Sequence, residues 1–341
     1  MMNLALTNLL LIASSAGHAL PAEPLAPTPV VQETTQFSFE APSIFVPGEP
    51  FPVTIEIEAG TAQAPVAAWL LKESAFLVDG NSVGPRTSDQ FLTLAPGSVL
   101  NLSFDLAPFL DVEADFDLAY GNTGGSDPIR VNVLQRADSD LDFMTIDEAE
   151  LGKYMIVVNT NRGTMLWEMW PHVAPGHVRN FLDLYSSGFY NQTLFHRVGP
   201  GFMIQGGDPN TKDPDLAARW GTGGGPRQLK AEFSDKPHVR GTLSTARSQS
   251  PDSGSSQFFV MHGRAASLDG QYTVFGQLYT DHAESFRVLD AIATSEMTRG
   301  RDGTGRPNEP QRIERASIVL HPNPPVVEMR KAAGTEEEAG R

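Results

Sequence analysis

The chain of 341 residues is 40% hydrophobic and only 19% charged, with 31 Gly and 26 Pro, which favours two β-rich, turn-rich domains over helical bundles. Its formal net charge of -16 argues against nucleic acid or an anionic membrane as a partner, because such partners bind clustered Lys and Arg. The chain has no cysteine, which excludes disulfides, thiolate metal sites and Cys nucleophiles.

An apolar run near the N-terminus, residues 4–16, precedes the small residues Gly17 and Ala19. This pattern is typical of a secretory signal peptide, which we place at residues 1–19, although no Lys or Arg precedes the run. The alternative is an uncleaved apolar tail, because the run is shorter than the about 20 residues that span a membrane. The sequence therefore predicts export to the periplasm, with the cytoplasm as the alternative.

Residues 20–36 carry prolines at near-regular intervals and predict a stiff, extended linker. Residues 37–136 then alternate between short apolar runs and turn signals. In residues 53–58 the alternation is strict, which puts Val53, Ile55 and Ile57 on one face of a strand. Further candidate strands are 66–72, 90–94, 99–106, 115–120 and 129–134. About seven short strands over about 100 residues predict an immunoglobulin-like β-sandwich.

Two short segments resemble functional motifs in part. Residues 80–84 read G-N-S-V-G around Ser82, but the hydrolase motif G-x-S-x-G needs a helix after it, and Pro85 begins a loop. We interpret this match as a coincidental turn, and a hydrolase that uses Ser82 is the least favoured hypothesis. The acidic segment 137–150 lacks the Gly and the bidentate Glu of a calcium loop, so we predict a solvated linker between domains.

The second predicted domain covers residues 151–321. Strands at 154–159 and 164–170 form a hairpin around a short polar turn. A helix begins at Pro175 and ends near Gly188, and a second helix begins at Asp281 with Glu284 as its capping-box partner. Strands at 257–261, 273–278 and 312–320 complete the domain. Residues 322–341 predict a flexible tail.

Four sequence blocks of this domain carry a resemblance to a known family. They are A-P-x-x-V-x-N-F (174–181), F-H-R-V-x-P-G-F-M-I-Q-G-G-D (195–208), S-x-A-R-x-x-x-P-D-S-x-x-S-Q-F-F (244–259) and S-L-D-G-x-Y-x-V-F-G (267–276). In this order and spacing, residues 154–320 resemble the bacterial cyclophilin-type peptidyl-prolyl cis-trans isomerases. The resemblance implies a closed eight-stranded antiparallel β-barrel capped by two helices. The predicted fold is therefore all-β, with the sandwich preceding the barrel.

The resemblance also assigns functional residues. Arg197 matches the catalytic arginine of the family, and Gln205 matches a polar residue of its groove. The proline pocket is implied for Phe202, Met203, Phe259 and Leu268. Contacts with the rest of the substrate are implied for Ala246, Arg247, Gln257 and Tyr272. No metal or other cofactor is implied, and the expected partners are proline-containing segments of client proteins.

Isomerisation explains why these residue types are needed. Rotation about an X-Pro bond must break amide resonance, at a barrier of about 18–20 kcal/mol. In the twisted transition state the prolyl nitrogen regains its lone pair, so a donor aimed at this nitrogen binds the transition state more tightly than either ground state. Arg197 is the predicted donor, while the apolar pocket holds the ring as the acyl side rotates.

Several positions depart from the usual pattern of the family. Gly199 replaces an aliphatic residue, which is expected to loosen the strand before the Pro-Gly bend. Ser267 replaces a Trp that contacts cyclosporin in many sensitive members, so weak cyclosporin binding is expected. Arg247 stands where many eukaryotic members have Asn, and Tyr272 stands at the position of a groove histidine. His196 is predicted to point away from Arg197 as a hydrogen-bonded core residue.

Two hypotheses of different classes remain from the sequence. The main hypothesis is an exported prolyl isomerase whose first domain positions the enzyme or holds its clients. The alternative is a module that binds proline-containing peptides or acts as a chaperone with little turnover, and it is Gly199 and Ser267 that support this alternative.

Overall fold

The structure, a computed structural model, describes residues 35–60, 64–84, 91–121 and 126–324. The predicted signal peptide, nearly all of the Pro-rich linker and most of the predicted tail lie outside these residues. Within them the chain is mostly β-strand, with three short α-helices and several 3-10 turns. No helix in these described ranges is long and apolar enough to cross a membrane.

The first ten strands lie between residues 35 and 133. They are β1 (Thr35–Glu40), β2 (Ile44–Phe45), β3 (Pro52–Ala59), β4 (Ala64–Ala67), β5 (Phe76–Val78), β6 (Asn81–Ser82), β7 (Phe91–Leu94), β8 (Val99–Asp105), β9 (Phe116–Tyr120) and β10 (Ile129–Val133). One sheet has the order β1-β3-β8, a second has the order β2-β10-β9-β5-β6, and β4 pairs with β7 alone. The pair β2–β10 is parallel and the other pairs are antiparallel.

The alternating pattern of β3 explains how the first core forms. Val53, Ile55 and Ile57 are at most 1% exposed, as their alternation predicts, whereas the intervening residues of β3 are exposed. These three side chains belong to one apolar cluster with Phe76 and Phe116 of the second sheet. The pleat of one strand thus supplies apolar side chains to a core shared by both larger sheets.

Two sequence predictions in this region need correction. The predicted strand 66–72 ends early: β4 stops at Ala67, and Ala68–Leu71 form a 3-10 turn whose Leu70 carbonyl accepts a hydrogen bond from the Tyr120 hydroxyl at 2.6 Å. The hairpin β5–β6 was not predicted. It turns at Asp79 and Gly80, with φ of 47° and 80°, a conformation that Asp and Gly tolerate.

Ser82 lies at the end of this hairpin and is not placed like a nucleophile. Its Oγ lies 2.7 and 2.6 Å from the carbonyl oxygens of Ser74 and Gly84, so its single proton is held within the turn. The match to G-x-S-x-G is therefore a strand and turn rather than the sharp bend of a hydrolase.

The remaining strands form a single antiparallel sheet. They are β11 (Tyr154–Thr160), β12 (Gly163–Met169), β13 (Arg197–Gly199), β14 (Met203–Gly206), β15 (Thr242–Thr245), β16 (Phe258–Met261), β17 (Val274–Leu278), β18 (Met297–Arg299), β19 (Gly305–Pro307) and β20 (Ile313–Leu320). Their order is β18-β19-β13-β14-β16-β15-β17-β12-β11-β20. An isolated bridge between Leu194 and Arg312 joins the segments that precede β13 and β20.

Three helices accompany this sheet: α1 (Glu148–Leu151), α2 (Pro175–Ser186) and α3 (Ala283–Ala293). Helix α2 begins at Pro175 as predicted and buries Phe181 and Tyr185 in the main core beside Trp167. The predicted capping box of the second helix is wrong. His282 is the N-cap of α3 and makes no capping bond, and the Glu284 carboxylate instead accepts the backbone N–H of Thr164 at 3.1 Å.

The acidic segment 137–150 is attached to the second domain rather than fully solvated. Its aspartates are exposed, but Phe143 is 2% exposed and packs edge-on against Tyr154, with ring centroids 5.2 Å apart. Asp147 accepts the N–H of Ala149 and caps α1. Phe143 thus attaches an otherwise acidic segment to the second domain, because burying a phenyl ring is favourable.

The two domains also share a small apolar cluster. Ile44, Val46 and Leu134 of the first domain pack with Met155 and other residues of the second. Beside this cluster Glu49 is 6% exposed, and its carboxylate accepts the hydroxyl of Ser317 and pairs with Arg315 at 3.1 Å.

Candidate active site

The β13–β14 hairpin places the two predicted catalytic side chains opposite each other. Arg197 pairs with Gln205 and Gly199 pairs with Met203 across the two strands. Directly opposed residues of an antiparallel pair lie on the same face of the sheet. The turn between the strands uses Gly201, with φ of 76°, so the predicted pair of short strands at a Gly-Pro-Gly bend is confirmed.

A row of polar side chains crosses the face of three strands. The Arg197 Nη1 donates to Gln205 Oε1 at 3.1 Å, and the Gln205 Nε2 donates to Gln257 Oε1 at 3.0 Å. The Gln257 Nε2 in turn donates to the carbonyl oxygens of Gly221 and Gly223, at 3.0 and 2.7 Å. Each amide is thereby fixed in one orientation, and the row ends at the guanidinium.

The Gly-rich loop that receives this row is held by a buried carboxylate. Asp208 is 0% exposed, and its Oδ2 accepts the backbone N–H groups of Gly221 and Gly223. A Cβ atom at Gly223 would lie 2.1 Å from Asp208 Oδ1, so only glycine fits there. The loop is therefore part of the framework that holds the polar row in place.

Two residues that the sequence did not indicate hold the other side of Arg197. The Arg197 Nε donates to Thr304 Oγ1 at 2.9 Å, and Nη2 donates to Asp302 Oδ2 at 2.8 Å. The hydrogen bond from Arg197 lowers the pKa of the Asp302 carboxyl to about 2, and Thr304 acts in the same direction. The guanidinium therefore has a permanent counter-charge beside it, while the Arg197 side chain stays 39% exposed.

An apolar cluster lies next to the polar row and is separate from the main core. Met203, Phe259 and Met261 are each at most 6% exposed. Partly buried around them are Phe202, Ala246, Ala265, Leu268 and Tyr272. The structure thus brings together all four predicted residues of the proline pocket, with Ala246 and Tyr272 beside them.

The alternation of β16 separates this pocket from the interior. Phe258 and Val260 belong to the main core, whereas Phe259 and Met261 face the pocket. The position of Phe259 in the pocket agrees with the sequence prediction. Met261 was missed, although its spacing of two from Phe259 was a signal that could have found it.

A buried histidine packs against the pocket residue Phe259. The His238 ring is 0% exposed and stacks on Phe259, with centroids 5.9 Å apart. Its ring nitrogens lie 3.1 Å from Ser244 Oγ and 3.1 Å from Asp269 Oδ1. Burial lowers the pKa of His238, while the hydrogen bond from Arg264 lowers the pKa of Asp269. Phe259 is therefore held between His238 and Tyr272, whose ring centroid lies 5.6 Å away.

Arg247 lies at the rim of the groove rather than inside the pocket. Its guanidinium stacks over the Tyr272 ring at 4.6 Å, and its Nε donates to the carbonyl oxygen of Gln271 at 3.0 Å. Together with Gln205, Ala246 and other residues it lines a second cavity of about 280 Å³. Ala246, Arg247 and Gln257 therefore surround this cavity, and Ala246 also borders the apolar cluster.

Two further predictions have mixed outcomes. Gly199 is the last residue of β13, and Thr304 Cγ2 lies where a side chain at this position would be, so the expected loosening of the strand stays a prediction. His196 is 8% exposed and burial lowers its pKa, as expected for a core residue. Its predicted hydrogen bonds are not found, because neither ring nitrogen has a partner among the described residues. No cluster of three or more His, Asp or Glu side chains in those residues could hold a metal ion.

Comparison with known proteins places the second domain in one family. Residues 155–318 match the family model described as cyclophilin type peptidyl-prolyl cis-trans isomerase/CLD. A probable peptidyl-prolyl cis-trans isomerase of Brucella suis is 39% identical over 168 residues, which are 48% of this chain and 81% of that protein. A peptidyl-prolyl cis-trans isomerase of Synechococcus elongatus is also 39% identical, over 140 residues, 41% of this chain and 89% of that protein.

A solved structure also matches this part of the chain. It is a cyclophilin type isomerase of Cryptosporidium parvum crystallised in the presence of the dipeptide Ala-Pro. That protein is 31% identical, with a TM-score of 0.41, and the match covers 50% of this chain and 99% of that one.

Proposed function

Because the chain belongs to the cyclophilin-type family and is a peptidyl-prolyl cis-trans isomerase, we propose that Arg197 stabilises the twisted X-Pro amide in proline-containing segments of unfolded or flexible client proteins. The observation that carries this proposal is the hydrogen-bonded row from Arg197 to Gln257, which lies directly beside the apolar cluster of Met203 and Phe259.

The guanidinium retains donors for a substrate. Thr304, Gln205 and Asp302 each accept one N–H of Arg197, and an arginine side chain carries more N–H groups than these acceptors use. A free N–H aimed at the prolyl nitrogen binds most strongly when that nitrogen becomes pyramidal. No covalent bond forms or breaks, and the arginine keeps its protons throughout.

The apolar cluster is suited to a prolyl ring. Phe202, Met203, Phe259 and Leu268 offer carbon surface without a charged group, so the ring gains free energy by leaving water. Ala246 and Tyr272 border the same cluster, and Arg247 and Gln257 line the adjoining cavity. We assign these four residues to the peptide on either side of the proline, with a client carbonyl replacing one acceptor of the Gln257 amide.

Isomerisation of a short Ala-Pro peptide tests the role of Arg197. Replacement of Arg197 by Ala is expected to lower kcat/KM about a hundredfold or more, as the loss of one preorganised donor does in other enzymes. Replacement of Arg130, an exposed residue of the first domain paired with Asp117, is the matched control and is expected to leave kcat/KM unchanged.

The same assay separates the isomerase from the alternative of a binding module. If the intact protein binds the peptide without accelerating its isomerisation, the binding or chaperone module with little turnover is favoured. If the Arg197 variant keeps full activity, the proposed donor is wrong.

We propose that eight strands of the second domain, β11 to β17 and β20, close into a barrel capped by α2 and α3. Backbone hydrogen bonds support this closure: Phe195 N–H donates to Gln311 at 2.8 Å and Ile313 N–H donates to Thr193 at 2.8 Å. Slow hydrogen exchange of these two amides is expected, and exchange as fast as in exposed loops would argue against closure.

For the first domain we propose an immunoglobulin-like sandwich that holds clients or positions the enzyme. The shared cluster of Val53, Ile55, Phe76 and Phe116 supports two facing sheets. Because the Arg197→Ala protein keeps this domain, it is expected to suppress aggregation of an unfolded client as well as the intact protein does. If the Arg197→Ala protein no longer suppressed aggregation, the groove rather than the first domain would be the part that holds clients.

We propose export to the periplasm from the apolar run 4–16, and N-terminal sequencing of the mature protein is expected to begin after residue 19. An unprocessed protein in the cytoplasmic fraction would contradict export.

We also propose weak binding of cyclosporin, because the exposed Ser267 beside Leu268 offers no indole ring. Replacement of Ser267 by Trp is expected to tighten the Kd about tenfold by calorimetry, the effect of one large apolar contact. An unchanged Kd would assign the weak binding to other residues.

A further inference from the structure

A short hairpin outside the recognised sequence blocks reaches the groove and contacts Arg197. Strands β18 and β19 pair with each other, and β19 also pairs with β13 at Gly305 and Val198. The connecting turn carries Asp302 and Thr304. Asp302 Oδ1 accepts the backbone N–H and the hydroxyl of Thr304, at 3.1 and 2.8 Å, so the two side chains are fixed to each other.

Thr304 fits against the groove strand because residue 199 has no side chain. A Cβ atom at Gly199 would lie 2.9 Å from Thr304 Cγ2, which is closer than real Cβ atoms approach, and the next atoms are at 3.6 Å. Thr304 is only 4% exposed, so its methyl group has no open space to move into. Glycine at 199 and threonine at 304 are thus complementary in shape.

This fit brings two acceptors to one guanidinium from the side opposite Gln205. The Nε and Nη2 atoms of Arg197 donate to Thr304 and Asp302, while Nη1 donates to Gln205. An arginine side chain has many rotamers, and fixing it before the substrate binds removes that ordering cost from the reaction. The ion pair is too exposed to add much to folding stability, with side chains 39% and 58% exposed, so its main effect is on orientation.

We propose that Asp302 and Thr304 are positioning residues that hold Arg197 in its catalytic orientation, and that Gly199 is the residue that admits them. This inference rests on the role proposed above for Arg197. Neither residue exchanges a proton or forms a bond in the reaction. They restrict the guanidinium so that its free N–H groups point toward the pocket that holds the prolyl ring.

The first test measures kcat and KM separately in variants of the two positioning residues. Thr304→Val keeps the methyl group and loses the acceptor, and Asp302→Ala removes the counter-charge. Each is expected to lower kcat about tenfold with KM changed less than about twofold, because misplacing a catalytic group penalises the transition state more than binding. Thr304→Ser restores the hydroxyl and is expected to recover most of the activity lost in Thr304→Val.

NMR spectroscopy can report directly on the hydrogen bond of the Arg197 side chain. In the intact protein the Arg197 Nε proton is expected to give a resolved NMR signal that exchanges slowly with water, since it is hydrogen-bonded to Thr304. In Thr304→Val this signal is expected to broaden or disappear, and a merely structural role of Thr304 would not change it in a protein that remains folded.

The second test concerns the pair of Gly199 and Thr304. Gly199→Ala is expected to lower kcat about tenfold, because the added carbon displaces Thr304 from Arg197. Adding Thr304→Ser removes the obstructing methyl group but keeps the hydroxyl, so the double variant is expected to regain activity. Urea midpoints measured for all variants identify any loss that is due to unfolding.

The outcomes distinguish this inference from the proposal it rests on. If Arg197→Ala, assayed in parallel, retains activity, the proposed donor itself is wrong. If Arg197→Ala loses activity but Asp302→Ala and Thr304→Val match the intact protein, the positioning role is overturned. A rise in kcat in Asp302→Ala would also overturn it, because the carboxylate would then be restraining the arginine. A double variant no better than Gly199→Ala would refute the shape complementarity.

Discussion

Two polar networks of the protein, one in the groove and one at the contact between the two domains, use similar side chains in opposite ways. The groove network consists of Arg197, Gln205, Gln257, Asp302 and Thr304. The interdomain network consists of two hydrogen-bonded groups at the contact between the domains, Ser43 with His282, Glu284 and Ser285, and Glu49 with Ser317. Arg197 is 39% exposed and keeps free donors, whereas Glu49 and His282 are each 6% exposed. The groove network therefore keeps N–H groups that can bind a ligand, whereas the nearly buried interdomain network stabilises the structure.

Four members of the interdomain network, Ser43, His282, Glu284 and Ser285, form a continuous hydrogen-bonded chain. Leu166 N–H donates to Ser285 Oγ at 2.8 Å, and Ser285 Oγ lies 2.7 Å from His282 Nδ1. His282 Nε2 lies 2.9 Å from Ser43 Oγ, whose hydroxyl donates to the Glu284 carboxylate. This chain is consistent with a neutral His282 that donates from Nε2 and accepts at Nδ1. Each hydroxyl and ring nitrogen of this chain therefore has a partner inside the protein.

The largest effect that would test this contrast is on stability. Replacement of Glu49 by Ala leaves Ser317 without its acceptor and Arg315 without its partner at a nearly buried site. We expect the free energy of unfolding to fall by about 2–3 kcal/mol, with kcat/KM unchanged. Urea unfolding and the peptide assay measure the two quantities. Glu58→Ala on the exposed face of β3 is the control, and reduced kcat/KM with unchanged stability would reverse the assignment.

A smaller effect is expected on activity from the groove. Replacement of Gln205 by Ala removes the link between Arg197 and Gln257, so we expect kcat/KM to fall about tenfold, or about 1.4 kcal/mol. The free energy of unfolding should change by less than about 0.5 kcal/mol. Gln277→Ala on β17 is the matched control, because this glutamine is half-buried and hydrogen-bonds only Glu168 outside the groove. Equal losses of activity in both variants would contradict the proposed role of the groove network in catalysis.

The same contrast explains how much the sequence could predict. The alternation of apolar and polar residues in β3 predicts a strand with one buried face, and the structure has this strand. The long sequence blocks around Arg197 and Phe259 likewise made the pocket residues predictable. The turn that carries Asp302 and Thr304 has no periodicity, and its contact with Arg197 spans more than 100 residues.

The sequence predictions were wrong at residues whose partners lie far away in the sequence. Glu284 has the spacing of a capping box, but Ser43 and Thr164 bind its carboxylate, and Phe143 lies in an acidic segment yet enters the core. In each case a partner distant in the sequence overrides the local preference, and no local pattern records that partner.

The smallest predicted effect concerns the protonation of His282. Burial lowers the pKa of His282 below its ordinary value of about 6.5; Glu284 opposes this shift and Arg287 reinforces it. The unfolded chain therefore binds a proton that the folded protein resists, so this stabilisation is complete above about pH 6.5 and is lost as the pH falls below it. Burial also lowers the pKa of other histidines, including His321, so the intact protein should lose stability on acidification by more than His282 alone provides.

Replacement of His282 by Gln isolates the contribution of this one residue, because glutamine can donate to Ser43 and accept from Ser285 without titrating. Between pH 7.5 and pH 5.5 we expect the variant to lose less unfolding free energy than the intact protein. Urea unfolding at the two pH values measures this difference. Equal losses in the two proteins would mean that folding leaves the pKa of His282 unchanged, and burial in the interdomain network would then not disfavour the charged imidazole.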